Sequence, residues 1–142
     1  MEEVTETEDD EVFYSMKDFV DNRDPGLYET IVEFCKKEGK KISFLYEFED
    51  HAGKRVITKQ LISDIKCEKK QPSKRTVLYI ILKLELNLED AQYLMGKAGY
   101  RLTHSSKADS VVIYLLRGKK HYPATMNNCL KKYADTDLEH YK

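Results

Sequence analysis

The segment SKRTVLYIILKLEL, from Ser73 to Leu86, constrains the fold more than any other part of the sequence. Its apolar residues recur every three or four positions, as on one broad helix face: Val77, Ile80, Ile81 and Leu84. Val, Ile and Tyr would also suit a strand. The length of the segment and the N-capping residue Ser73 favour a helix instead. The sequence therefore predicts a central helix over 73–85, with Ile80 and Leu84 buried.

The same periodicity recurs along the rest of the chain, and the few prolines and glycines fall between the periodic stretches. It predicts a short element over 16–21 and helices over 27–38, 42–50, 57–66, 73–85, 88–98, 106–117 and 122–133. Four residues are expected N-caps because their side-chain oxygens can accept from the first turn: Ser43, Thr58, Ser73 and Asn87. Strands and helices do not alternate, so the predicted fold class is all-α.

Charge is distributed unevenly, although the net charge is only −1. Seven of the first eleven residues are acidic. Because such a segment offers little apolar surface to offset its ordering entropy, residues 1–14 are predicted to be a disordered tail. Between His51 and Arg75, eight basic residues occur with only Asp64 and Glu68 against them. This block favours a polyanion such as nucleic acid, and a merely solvated lysine surface is the alternative.

No motif predicts an enzyme, a metal site or a cofactor. The histidines lack metal-ligand spacing, and no glycine-rich phosphate loop occurs. The three cysteines form an odd set without CxxC spacing, and the N-terminus is acidic where a signal peptide would be basic, so we expect reduced thiols in the cytoplasm. No apolar run approaches the roughly 18 residues of a membrane span. Four tyrosines could stack on single-stranded nucleic acid but are expected to be buried or half-buried: Tyr46, Tyr79, Tyr93 and Tyr114.

From Ile57 to Leu86 the chain resembles the Xre-type helix-turn-helix proteins, the family of Cro and the phage repressors. That family shows an aliphatic residue, a Ser/Thr cap, three free positions, I-S-x-I, eight further residues ending in P-S, and shortly afterwards T-L-x-x-I-A-x-A-L-x-V. The matching positions are Ile57, Thr58, Ile62, Ser63, Ile65, Pro72, Ser73, Thr76, Val77, Ile80, Leu84 and Leu86. The resemblance implies a five-helix repressor-like helix-turn-helix bundle with two to three additional helices.

The resemblance continues through LNLEDAQYLMGKAGYRLTHSSKADSVVIYLL. This segment is similar to the C-terminal helical extension of a bacterial, largely Firmicute, group of small helix-turn-helix proteins. In all, the match runs from about Leu27 to Lys132. It implies a helix-turn-helix-like domain over 15–100 and a C-terminal helical extension over 101–142 that packs on it.

The function implied by the resemblance is that of a cytoplasmic bacterial regulator of transcription, which binds duplex DNA and is not an enzyme. The helix over 57–66 would read the DNA, with Lys59, Gln60 and Ser63 as candidates for base contacts. Candidates for phosphate contacts are the surrounding basic residues: Lys54, Arg55, Lys66, Lys69, Lys70 and Lys74. A homodimer, and a protein partner bound through the C-terminal helices, stay open.

Several positions depart from the family pattern. Tyr46 stands where a small Ala is usual, and the turn EDHAGKRVI is several residues longer than the tight turn of the family. Lys66, Cys67 and Glu68 replace the usual Glu-x-Gly, and Asp64 places a carboxylate where the family often faces DNA. The alternative is therefore a protein-interaction module, an adaptor in bacterial signalling or phage defence that has kept the helices and lost DNA binding. An RNA-binding variant using the same basic residues is a third interpretation.

Overall fold

The computed structural model describes the backbone from Glu2 to Lys142 and the side chains from Asp10 onward. Its regular elements are seven α-helices and one 3-10 helix: α1 (Glu2–Asp21), α2 (Leu27–Lys37), η1 (Ile42–Glu47), α3 (Lys59–Lys66), α4 (Lys74–Leu84), α5 (Leu88–Lys97), α6 (Lys107–Arg117) and α7 (Pro123–Ala134). Over this described range no strand forms, apart from an isolated bridge between Glu49 and Arg55. The all-α fold class is confirmed.

Side-chain caps fix where several of these helices begin. Thr58, Ser73 and Asn87 accept hydrogen bonds from the backbone N–H groups three residues later, at 3.1, 3.1 and 2.8 Å. These three predicted caps are confirmed. The satisfied N–H groups would otherwise be left without partners in the first turn.

The predicted helix over 42–50 is wrong in its length and in its cap. The structure has only the 3-10 helix η1 here, and Ser43 lies inside it without capping it. The chain then turns back on itself, because the Asp50 carboxylate accepts from the N–H groups of Ala52 and Lys54, both at 2.9 Å. This local side-chain turn competes with the helix and ends it early.

Helix α4 forms the centre of the core, as the sequence predicts. Ile80 has no exposed surface and Leu84 is 3% exposed. α4 packs against α5 and η1, and α5 also packs against α2 and α6. α2 in turn packs against α3, which holds the proposed recognition helix to the same core.

Helices α6 and α7 form a hairpin that is joined to α4 through the buried carboxylate of Asp109. Lys74 Nζ lies 2.7 Å from Asp109 Oδ2, the Thr103 N–H donates to that oxygen at 2.9 Å, and the Tyr141 hydroxyl donates to Oδ1 at 2.6 Å. Burial, and then this hydrogen bond, raise the pKa of Tyr141, so the phenol stays protonated and donates. The network ties α4, α6 and the C-terminal segment together.

Helix α1 lies where the sequence predicted a disordered tail over 1–14 and a short element over 16–21. The structure has one continuous helix of 20 residues there, whose side chains from Asp10 to Asp21 are all exposed. Neither α1 nor any other described helix is both long and apolar enough to cross a membrane.

Candidate nucleic-acid interface

Helix α3 presents the three predicted base-contact residues on its exposed side. Ile62 and Ile65 are buried and fix the inner side of the helix against the core. Lys59, Gln60 and Ser63 are all exposed. An α-helix with its side chains is about 10–12 Å in diameter, which matches the roughly 12 Å width of the B-DNA major groove. A helix such as α3 can therefore enter that groove with its polar side foremost.

The side chain of Gln60 is oriented by a carboxylate on the next turn. Its Nε2 donates to Asp64 Oδ1 at 2.9 Å, a contact between residues four apart on one helix face. The contact fixes the amide, but it uses one of the donors that would read an adenine edge. It also places a negative charge on the same face as the candidate base contacts.

Basic side chains flank α3 at both ends. Lys54 and Arg55 lie in the loop before the helix, and Lys66, Lys69 and Lys70 lie at its end and just beyond it. All five are exposed. Lys66 Nζ lies 5.6 Å from the centre of the Tyr28 ring, a cation–π contact that sequence reasoning did not anticipate. The structure thus brings five of the six predicted phosphate-contact residues to the surface around one helix.

Lys74 is the exception among the phosphate-contact candidates. Its side chain is 13% exposed, and its ammonium forms the ion pair with Asp109 instead of facing solvent. An ammonium held by a buried carboxylate cannot also meet a phosphate without breaking that pair. We therefore remove Lys74 from the phosphate-contact set, because its charge is already neutralised within the fold.

A hollow of about 470 Å³ beside the start of α3 adds one cation that the sequence did not single out. Lys54, Arg55 and Thr58 line it together with Arg75 from α4. The Arg75 guanidinium donates to the backbone carbonyl of Glu139 and so is held at the rim. The first turn of a helix attracts anions through its N–H groups and its dipole. Asp50 and Glu139 also line the hollow, so it combines three cations with two carboxylates.

The turn after α3 is built on a residue in the left-handed region. Glu68 has a φ of 55°, the Glu68 N–H donates to the Ile65 carbonyl at 3.2 Å, and the Lys69 N–H donates to the Asp64 carbonyl at 3.0 Å. This is the Schellman pattern, in which glycine normally occupies the left-handed position. The helix-turn-helix pattern that this segment resembles has Gly at this position. The turn directs the following residues, Lys69 and Lys70, away from the helix end.

Replacing Glu68 with glycine should stabilise the protein by about 0.5–1 kcal/mol. Relief of the left-handed penalty, about 1–2 kcal/mol, outweighs the added flexibility of the unfolded chain, about 0.4–1 kcal/mol. Urea denaturation measures the effect, and Glu68→Ala is the matched control because it removes the charge but keeps the Cβ. A gain of equal size in both variants would show that charge, not backbone geometry, is responsible.

The tyrosines only partly follow the sequence prediction. Tyr79 is buried and Tyr46 is half-buried, as expected. Tyr93 and Tyr114 are 51% and 78% exposed, so their predicted burial is wrong. Both lie on the outward side of helices whose inner positions are filled by aliphatic residues, Leu94 and Met95 in α5 and Val112 and Leu116 in α6.

The described residues bring no other reactive groups together. Among them, no group of three or more His, Cys, Asp or Glu side chains is arranged to hold a metal ion. Burial raises the pKa of the Cys35 thiol and keeps it in its unreactive protonated form. A comparison of the chain with family models, with curated proteins and with solved structures found no match.

Proposed function

We propose that the protein is a duplex DNA-binding regulator of transcription of the Xre-like helix-turn-helix type, with sequence-specific or semi-specific recognition through α3. The observation that carries this proposal is the exposed polar face of α3, formed by Lys59, Gln60 and Ser63. Such side chains can reach base edges: Lys pairs with guanine, Gln with adenine, and Ser with several bases. The anchoring of the same helix by Ile62 and Ile65 supports a rigid reading surface.

The five exposed cations around α3 support the sequence-independent part of the binding. Lys54 and Arg55 before the helix, and Lys66, Lys69 and Lys70 at and beyond its end, are exposed and would offer positive charge to phosphates on both sides of it. Contacts of this kind position a protein on the duplex and provide most of its affinity. Base contacts by α3 would then select the sequence.

A salt titration with duplex DNA tests the proposal. Five phosphate contacts predict a log–log slope of about −4.5, so affinity should fall roughly 500-fold between 50 and 200 mM salt. Replacing Lys69 or Lys70 with Ala should make the slope shallower by about 1 and weaken binding equally on all sequences. Fluorescence anisotropy measures both effects. Lys120→Ala, an exposed lysine between α6 and α7, is the control that should leave the slope unchanged.

Two further variants separate base contacts from phosphate contacts. Gln60→Ala should change sequence preference by about 1–3 kcal/mol between bases without changing the slope. Asp64→Asn should keep or tighten binding, because it removes a charge that repels phosphate and retains the acceptor for Gln60. If neither the wild type nor Asp64→Asn binds duplex DNA at about 50 mM salt, where counterion release strongly favours binding, the DNA-binding proposal is wrong.

The second candidate is the non-enzymatic interaction module, an adaptor built on the same helices. The observation that favours it is the element before α3. There η1 is a six-residue 3-10 helix, whereas a helix-turn-helix protein uses an α-helix to place its recognition helix across the backbone. Absence of DNA binding in a folded protein would leave this candidate as the better account of the fold.

A further inference from the structure

The N-terminal helix α1 carries an apolar face that no described part of its own chain covers. Between Asp10 and Asp21 its exposed apolar residues include Val12, Phe13, Met16, Phe19 and Val20, each 46–79% exposed. At 3.6 residues per turn these five side chains project from one side of the helix, whereas Tyr14 projects from the opposite side. An amphipathic helix normally buries such a face, and a contiguous exposed apolar patch is typical of an interaction site.

A groove of matching chemistry lies on the hairpin formed by α6 and α7. It has a volume of about 730 Å³ and is lined by apolar and aromatic groups that include Val111, Tyr114, Cys129 and Tyr133. Lys107 and Arg117, at the two ends of α6, also line it. His104, Ser105 and Ser110 complete the lining, so the groove is mostly apolar and has a cation at each end of α6. This arrangement suits an acidic amphipathic helix.

The two surfaces have opposite charge. The sequence of α1 contains nine carboxylates and a single basic residue, Lys17. From residue 110 to residue 134 the chain contains five lysines and arginines and no acidic residue. This segregation would steer α1 towards the hairpin and away from surfaces that carry carboxylates.

We propose that α1 of one copy docks into the α6–α7 groove of a second copy, and that the second copy docks its own α1 in return. Val12, Met16 and Phe19 have the i, i+4, i+7 spacing by which an amphipathic helix anchors in a groove. This proposal does not depend on whether the protein binds DNA, because neither α3 nor the cations around it take part in the proposed contact.

The second copy is the fitting occupant because α1 stands away from its own body. Its connection to α2, residues 22–26, is exposed throughout, contains Pro25 and spans at most about 17 Å. A reciprocal exchange uses each helix and each groove once, which gives a closed twofold dimer with no unused apolar face. The rings of Phe13 and Phe19 alone would bury about 300–500 Å² per contact. The groove would bury a similar area of its own surface in each contact. The two contacts together then reach the roughly 1,200 Å² of buried surface that a stable interface needs.

Sedimentation equilibrium of the full chain tests the proposal, and we expect a dimer in the micromolar range. Phe19→Asp should weaken dimerisation by about 30-fold per contact, or about 1000-fold for the two contacts together. Tyr14→Asp is the matched control, because Tyr14 is 78% and Phe19 is 79% exposed but they lie on opposite faces of α1. Phe19 has no buried contact to lose within the monomer, so its replacement should leave the thermal midpoint of a monomeric sample unchanged.

A second pair of variants tests the groove. Tyr133→Asp should weaken the dimer comparably, since Tyr133 lines the groove and is 62% exposed. Tyr122→Asp should not, since Tyr122 is 63% exposed but lies outside the groove lining. A chain that is monomeric at high micromolar concentration, or a dimer that survives both Phe19→Asp and Tyr133→Asp, would overturn the proposal.

Disulfide trapping decides which copy supplies the helix. Cys129 lines the groove, so Met16→Cys or Phe19→Cys, in a Cys67→Ser background that removes the exposed thiol, should cross-link to it under a mild oxidant. A dimer-sized band on a non-reducing gel, absent for Tyr14→Cys, supports exchange between copies. A cross-link within one chain, or no cross-link from either position, contradicts it.

Discussion

Replacing Asp109 with alanine should destabilise the protein by about 3–5 kcal/mol, a large part of the about 5–15 kcal/mol that a domain commonly has. The carboxylate is 2% exposed and accepts from Lys74, from the Thr103 N–H and from the Tyr141 hydroxyl. The truncation leaves an ammonium and two further donors buried without partners, and the cost of those orphaned groups dominates the effect. The urea midpoint measures it.

The matched controls separate the ion pair from the packing around it. Glu139→Ala removes an exposed carboxylate from the same C-terminal segment and should change stability by less than about 0.5 kcal/mol. The double variant Asp109→Leu, Lys74→Met removes both partners of the ion pair. It should regain much of the stability that each single variant loses, because no buried charge is then left unpaired.

The Lys74→Met variant also bears on the proposed interface. If Lys74 pairs with Asp109, the single variant should be strongly destabilising and should leave the salt slope of DNA binding unchanged in the fraction that is folded. A variant of normal stability with a shallower salt slope would show that the ammonium faces DNA, and it would return Lys74 to the phosphate-contact set.

The sequence predicted α2 and α3 to α7 within about two residues, because local signals mark all six of these helices. Apolar spacing marks their inner faces, and Thr58, Ser73 and Asn87 mark three of their starts. The helix predicted over 42–50 was too long, because the turn that follows η1 depends on the Asp50 side chain. A single Asp in a polar loop gives no periodic signal.

Within the candidate interface, local features were predictable and long-range ones were not. The exposed positions of α3 follow from the burial of Ile62 and Ile65, and the Gln60–Asp64 contact follows from their spacing of four residues. The pairing of Lys74 with Asp109 joins residues 35 apart, which no local pattern indicates. In the sequence alone, nothing distinguishes Lys74 from the other basic residues between His51 and Arg75.

The N-terminal helix shows how composition can hide an amphipathic pattern. The sequence predicted a disordered tail over residues 1–14 and a short element over 16–21, which separates Val12 from Met16 and Phe19 although the three recur at helical spacing. Isolated helices are marginal in water without tertiary packing. An exposed helix with such an apolar stripe is therefore expected to pack on a partner surface. The sequence-based argument for a disordered tail considered composition and did not include this stripe.

The second large effect is expected at the centre of the core. Ile80→Ala should destabilise the protein by about 2–5 kcal/mol, through the lost transfer free energy of the deleted carbons and through the cavity that remains. Ile80 has no exposed surface, and α4 packs against η1 and α5. The lining has little room to collapse, because its neighbours Val77, Ile81 and Leu84 are themselves at most 3% exposed.

A graded series makes the Ile80 prediction specific to packing. Ile80→Val removes one methyl group and should cost about 0.5–1.5 kcal/mol, so the midpoint of urea unfolding should fall in two unequal steps from Ile to Val to Ala. The slope of the free energy of unfolding against urea should stay constant, because the surface exposed on unfolding barely changes. Equal midpoints for all three proteins would mean that α4 is not the buried centre of the fold. Since α4 begins shortly after Lys69 and Lys70, that outcome would also remove the support that holds these two lysines in place beside α3.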